Sequence, residues 1–227
     1  MPWEDGRVTE VYLEAGKRRV FACAPGWPGW CRPGRDEESA LAALAAYAPR
    51  YAEVCARAGV PFGPGPAAAG FEIVERVTGS ATTDFGALDV APALDGEPGT
   101  AQQAERLVTL IETAWDLFEQ TAAGAPAVLR KGPRGGGRDR DAIVAHVRET
   151  EVLHARMLGL KERPFPAEDV AAAGWVRAGI LAEIRASAAA RPPEGLARSR
   201  RPPRFVARRT AWHALDHAWE IQDKSDQ

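Results

Sequence analysis

Four segments with helical hydrophobic periodicity occupy the chain from about residue 100 to residue 224. Apolar residues recur every three or four positions within each segment, and connections rich in Pro, Gly and Arg separate the segments. Amphipathic helices of this length bury their apolar stripes against one another. The sequence therefore predicts a four-helix, up-and-down-type bundle over residues 100–227. The predicted helices span residues 100–124, 139–159, 168–190 and 203–224.

The preceding part of the chain has the pattern of short strands and one helix. Two β-prone runs are joined by Gly16 and Lys17, which is a hairpin signal. The corner rich in Pro, Gly and Trp at residues 25–34 is too irregular for a regular element. We therefore predict an α+β protein in which a β-β-α-β module, residues 1–95, precedes the bundle. The predicted elements of this module are strands at residues 9–15, 18–24 and 71–79 and a helix at residues 35–59.

Composition argues against several classes of function. The net charge is −2 and the isoelectric point is near 6.1, so no overall basic field favours DNA binding. No apolar run approaches the roughly 20 residues of a membrane span, and the acidic start does not resemble a secretory signal. Three cysteines without a C-x-x-C pair predict neither a disulfide framework nor a thiolate zinc site. A reducing cytoplasm is the predicted location.

The strongest functional signal is a histidine pair in the last predicted helix. His213 and His217 are two of only four histidines in the chain, and their i,i+4 spacing places both on one helix face. Val206, Thr210 and Ile221 continue that face, so the rings are expected to point inward. A shared divalent cation would satisfy two buried imidazoles. The spacing alone also fits two solvated residues on a polar face.

A third histidine favours the metal site. His146 lies on the apolar side of the second predicted helix. His154 is the competitor, but it is eight residues further on, about 12 Å along the axis, and is expected at the rim of the core. We therefore predict that His146, His213 and His217 ligate one ion and leave a coordination position open, as in reactive zinc sites. Three neutral imidazoles suit zinc, nickel or iron alike.

The helix pattern, the early histidine of the second helix and the motif WHALDHAWEI at residues 212–221 resemble the DinB/YfiT-like superfamily of metal-binding four-helix bundles. The resemblance covers about residues 100–224 and implies a divalent metal on the same three histidines. Several members are transferases or isomerases that use a low-molecular-weight thiol such as mycothiol or bacillithiol. The resemblance therefore implies a thiol-dependent transferase or isomerase that acts on a small molecule through a three-histidine site.

Other side chains of the bundle are weaker candidates. Arg134, Arg138 and Arg209 could hold an anionic group of a cofactor or substrate, and a solvated basic surface is the alternative explanation. Glu220, three residues after His217, could accept a hydrogen bond or act as a base, although an exposed salt bridge would also explain it. No catalytic residue is identified beyond the metal ligands. The predicted partners are a small-molecule substrate and a second copy of the chain, with no DNA and no membrane.

The front module resembles the HicB-like fold over about residues 9–59. A strand pair runs into the Pro28-Gly29 corner, after which Gly34 and Glu37 precede the helix at the spacing of that family. Members are often antitoxins or RNA-binding-like modules, but residues 1–99 carry nine basic and fourteen acidic side chains. The alternative function is therefore a non-enzymatic binding or regulatory protein that uses this module for partner recognition and retains a vestigial metal site.

Overall fold

A computed structural model divides the chain into two compact units, Met1–Glu97 and Pro98–Gln227. It describes residues 8–63, 70–97, 99–132, 136–189 and 201–225. The class is α+β, as the sequence predicts, because a four-stranded sheet belongs to the first unit and long helices form the second. None of the described helices is long and apolar enough to cross a bilayer.

The first unit is built on one mixed sheet. Its strands are β1 (Thr9–Ala15), β2 (Val20–Cys23), β3 (Cys31–Gly34) and β4 (Phe71–Thr78). Its helices are α1 (Glu37–Ala46), α2 (Ala48–Arg57) and the short α3 (Ala81–Phe85), and a 3-10 turn follows at Ala93–Gly96. The strand order is β3-β2-β1-β4; β1 and β2 are antiparallel, as are β2 and β3, whereas β1 and β4 are parallel. Parallel pairing requires a crossover, and α1 and α2 lie in the connection that leads to β4.

Two elements of this unit differ from the prediction. The corner at residues 25–34 is expected to be irregular, yet its last four residues pair with β2 as strand β3. The single helix predicted at 35–59 is divided at Tyr47 into α1 and α2, with Pro49 in the first turn of α2. A proline is tolerated there because the first turn of a helix has no use for its missing N–H. The observed order is β-β-β-α-α-β rather than β-β-α-β.

The cysteines also correct an expectation. Cys23 on β2 and Cys31 on β3 are directly opposed in the strand register and form a disulfide, while Cys55 is buried and free. The sequence predicts no disulfide framework, and this single disulfide was not foreseen because the β2–β3 pairing that brings the two sulfurs together was not predicted. The cysteine count accordingly no longer argues for a reducing compartment.

The two tryptophans of the corner belong to the core of the first unit. Trp27 and Trp30 are both buried, and Phe62 packs edge-on against each of them. Trp30 stacks on Tyr51 with ring centroids 5.8 Å apart and donates its indole N–H to the carbonyl oxygen of Leu44. These contacts give both tryptophans a packing role.

Four long helices make up most of the described part of the second unit. Each begins and ends within two residues of the bounds that the periodicity predicts. Thr100 and Gln103 form a capping box at the start of the first of these helices. The helices are α4 (Ala101–Gly124), α5 (Arg140–Met157), α6 (Val170–Ala189) and α7 (Pro203–Ser225).

The order of these helices in space differs from an up-and-down arrangement. Helix α4 packs against α6 and α7, and α5 packs against the same two helices. Within the described residues the backbones of the consecutive helices α4 and α5 do not pack side by side, as an up-and-down bundle would require, although the side chains of Glu119 and Arg148 form an ion pair between them. The order around the unit is thus α4, α7, α5, α6. It brings α5 and α7, which carry all four histidines, into contact.

The buried face of α5 also differs from the predicted stripe. Apolar spacing places Ile143, Val147 and Leu153 on one inward stripe. Ile143 and Val147 are buried as predicted, but Leu153 is 51% exposed, whereas the charged residues Arg148 and Glu151 are buried. Arg177 of α6 donates to both carboxylate oxygens of Glu151, at 3.0 and 2.8 Å, and to Glu119 of α4 at 2.7 Å. Paired charges can be buried where single charges cannot, and a hydrophobic pattern does not reveal such pairs.

Candidate metal centre

Three histidines from α5 and α7 converge in the second unit. One ring nitrogen of each of His146, His213 and His217 lies within 4.8 Å of the other two. The Nε2 atoms of His146 and His213 are 3.2 Å apart. Two nitrogens on one tetrahedral zinc ion, each about 2.0–2.1 Å from the metal, would be about 3.3 Å apart. The closest pair therefore suits a shared ion, and the three nitrogens together could hold one.

The local sequence explains where these rings lie. Helix α7 is buried along most of its length, and its small residues Ala211, Ala214 and Ala218 leave room for neighbouring side chains at close packing. The i,i+4 spacing then places His213 and His217 on one face, and each is 8% exposed. His146 is half-buried, so the cluster has a closed base on α7 and a more open side on α5.

Burial keeps two of these imidazoles neutral. It lowers the pKa of His146 and lowers that of His213 well below its usual value, and the neighbouring histidines add to both shifts. A buried imidazolium loses its hydration, and charges of the same sign nearby disfavour it further. A neutral ring keeps a lone pair, which is the form that binds a metal.

Glu220 holds the ring of His217. The Nδ1 of His217 donates to Oε2 of Glu220 at 2.7 Å, and the ammonium of Lys224 donates to the other carboxylate oxygen. The hydrogen bond from His217, with that from Lys224, lowers the pKa of Glu220 to about 2. An ionised carboxylate only accepts, so Nδ1 of His217 carries the proton of this hydrogen bond, and in the neutral ring the lone pair is then on Nε2.

The sequence does not show whether Glu220 contacts His217 or forms an exposed ion pair. The sequence offers two relevant spacings, i,i+3 from His217 and i,i+4 to Lys224. Side chains at these spacings are neighbours on a helix. They do not distinguish an exposed ion pair from a partly buried contact with His217, because that choice depends on which face of α7 is covered.

His154 lies beside this cluster but does not belong to the group of three histidines whose ring nitrogens converge. Its ring centroid is 5.9 Å from that of His213, and its Nδ1 is 3.1 Å from Oγ1 of Thr210. The ring is 1% exposed, so the expectation of a position at the rim of the core is wrong. Burial lowers its pKa to about 3, and its Nε2 has no hydrogen-bond partner among the described residues.

The three candidate arginines are placed differently. Arg138 is exposed, and after burial and the charge of His217 it contributes to the lowered pKa of His146. Arg209 is half-buried and contributes, after burial, to the lowered pKa of His154 and, less strongly, of His213. Both guanidinium groups are thus within electrostatic reach of the cluster. Arg134 lies outside the described residues.

Comparison with known proteins found no relative of the chain. No protein-family model matches it, and neither the curated proteins nor the solved structures gave a match. The resemblances to the DinB/YfiT-like and HicB-like families therefore rest on the motifs in the sequence, and the reaction that they imply remains a proposal.

Proposed function

We propose that the second unit binds a divalent metal ion through His146, His213 and His217, and that the protein is a thiol-dependent transferase or isomerase acting on a small molecule. The observation that carries metal binding is the convergence of three ring nitrogens from two helices. The reaction class is suggested by the DinB/YfiT-like motif. Zinc, nickel and iron all suit a three-imidazole site.

The donor set is chemically suited to such an ion. Neutral imidazoles are favoured at His146 and His213, because burial lowers the pKa of both side chains. Glu220 accepts from Nδ1 of His217, so Nε2 is the nitrogen that could bind the metal. Many metal-bound histidines are oriented by a carboxylate in this way. Three protein ligands leave room for a further group, which is typical of reactive rather than structural sites.

The surroundings suit a small anionic thiol or substrate. A bound divalent ion would supply Lewis-acid chemistry and lower the pKa of a thiol or water in the open position. The half-buried His146 marks the side from which a small molecule could approach. The positive charges of Arg138 and Arg209 near the cluster would favour a carboxylate on that molecule.

Cobalt substitution tests both parts of this proposal. Protein loaded with Co²⁺ should give a tetrahedral-type visible spectrum, and a mycothiol- or bacillithiol-type thiol should add a sulfur-to-cobalt charge-transfer band. His213→Ala should abolish both signals, whereas His154→Gln should keep them. A visible spectrum with no response to thiols would contradict the thiol-dependent reaction and leave the metal site standing. If the thiol does bind, the zinc form should be assayed with candidate small molecules. A molecule that is transferred or isomerised only in the presence of the thiol is the substrate.

A further inference from the structure

Glu220 is held from two sides on α7. Its Oε2 accepts from Nδ1 of His217 at 2.7 Å, and its Oε1 accepts from Nζ of Lys224 at 2.5 Å. These partners precede it by three residues and follow it by four, so one helix face carries the whole chain of contacts. The three side chains are only partly exposed, at 10% for His217, 26% for Glu220 and 24% for Lys224. Both oxygens of the carboxylate therefore have a defined partner.

We infer that Glu220, braced by Lys224, is a positioning residue that presents Nε2 of His217 to the metal. The inference rests on the proposed metal site. A carboxylate that accepts from Nδ1 fixes the tautomer, restricts rotation of the ring and raises the basicity of the opposite nitrogen. Lys224 holds the carboxylate in the orientation in which it can do so.

His217 differs in this respect from the other two ligands. Among the described residues, the only hydrogen-bond contact of His146 and of His213 through a ring nitrogen is the one between their own Nε2 atoms. Neither ring has a carboxylate on its other nitrogen in that part of the chain. Of the three histidines, His217 is therefore the one whose orientation is set by a charged side chain. Loss of Glu220 should affect this ligand specifically.

A control on α5 separates positioning from simple charge. Glu149 is exposed and follows His146 by three residues, and its charge acts on His146, but it makes no hydrogen bond to any of the three histidines. Glu149→Gln therefore removes one negative charge beside a ligand without removing a contact. Glu220→Gln removes one negative charge as well but keeps a carbonyl oxygen that can accept from Nδ1. Glu220→Ala removes the contact entirely.

Zinc affinity should be measured for the full chain by competition with a chelating indicator. We expect Glu220→Ala to weaken zinc binding about 10–100-fold, the usual cost of losing such a partner. Glu220→Gln should lose less, Lys224→Met less again, and Glu149→Gln should stay within about twofold of the wild type because exposed charges act weakly. In the metal-free protein, ¹⁵N NMR should show the Nδ1-protonated tautomer of His217, and Glu220→Ala should lose this preference.

Every outcome decides the inference. If Glu220→Ala binds zinc as tightly as Glu149→Gln does, or if the tautomer of His217 is unchanged, positioning by Glu220 is refuted and the metal site remains. If the wild type binds no zinc, the proposed site fails and the inference fails with it. Circular dichroism and thermal unfolding of the metal-free variants check that they fold, and Glu220→Gln carries the comparison if Glu220→Ala does not.

Discussion

The Nε2 atoms of His146 and His213 lie 3.2 Å apart although 67 residues separate them in the chain. The contact exists because α5 and α7 pack against each other, which the order of the helices in the sequence does not reveal. Its length suits both a hydrogen bond between two neutral rings and two ligands of one ion. A metal would therefore replace an existing contact, and metal binding should be measurable as a change in stability.

Metal binding should stabilise the second unit through these histidines. A ligand at about 100 times its Kd adds about 2.7 kcal/mol to the free energy of unfolding if it binds only the native state. We expect zinc at that excess to raise the thermal midpoint of the wild type and of His154→Gln, and to leave His146→Ala unchanged. Calorimetry with and without zinc measures this. An equal shift in His146→Ala would show that zinc acts elsewhere.

Acid should destabilise the metal-free protein through its buried histidines. The pKa of His154 is lowered to about 3 by burial, and those of His146 and His213 are also lowered. The unfolded chain binds protons near its ordinary pKa of about 6.5, so the unfolded state gains protons first as the pH falls. The free energy of unfolding should therefore fall below about pH 6.5, by up to about 1.4 kcal/mol per pH unit for His154 alone.

Urea unfolding at pH 7.5 and pH 5.5 with a chelator present measures this dependence. His154→Gln removes one of the titrating groups, so its free energy of unfolding should fall less between the two pH values. The same decrease in the variant and in the wild type would contradict a buried, neutral His154.

The helices of the second unit could be predicted from the sequence because their signal is local. Apolar periodicity and the Thr100 cap define α4–α7 to within two residues. The order α4, α7, α5, α6 could not be predicted, since it depends on contacts between distant segments. Leu153 was misplaced for the same reason. Periodicity assigns the apolar side of a helix inward, and it does not reveal that Glu151 is buried as well, where Arg177 pairs with it.

The ion pair between Arg177 and Glu151 should stabilise the second unit strongly. Glu151 is 2% exposed, and Arg177→Met would leave its carboxylate without these two bonds. Removing one partner of a buried pair typically costs about 3–5 kcal/mol. Arg185→Met is the matched control on the same helix, because Arg185 and Glu105 are 44% and 59% exposed and such a pair contributes about 1 kcal/mol or less. Similar losses in the two variants, measured by urea unfolding, would contradict a special role for the buried pair.

Glu14 should stabilise the first unit by tying β1 to the segment that follows β4. Its carboxylate is fully buried and accepts from the hydroxyl of Thr83 and from the backbone N–H groups of Asp89 and Val90. Glu14→Ala would orphan these donors, each at a cost of about 1–3 kcal/mol if it stays buried. Glu10→Ala, at an exposed position of the same strand, should change stability little. Equal stability of the two variants in urea unfolding would refute this role.

The histidine site was more predictable than the contacts that support it. Three ligands could be proposed from one helical spacing and one further histidine, because few histidines compete in this chain. The contact of Glu220 was one of the alternatives that its spacing from His217 leaves open, because spacing does not show which face of α7 is covered. The pairing of Cys23 with Cys31 was not predicted, because it depends on the pairing of two strands.

Metal content measures the central claim most directly. The full chain, purified without an affinity tag, should be equilibrated with zinc, dialysed and analysed for metal and protein together, alongside His213→Ala, His217→Ala and the control His154→Gln. We expect one zinc ion per chain in the wild type and in His154→Gln, and loss of that ion in the other two variants. Wild-type protein without zinc, or His213→Ala and His217→Ala with the same zinc content as the wild type, would contradict a metal centre built from His146, His213 and His217.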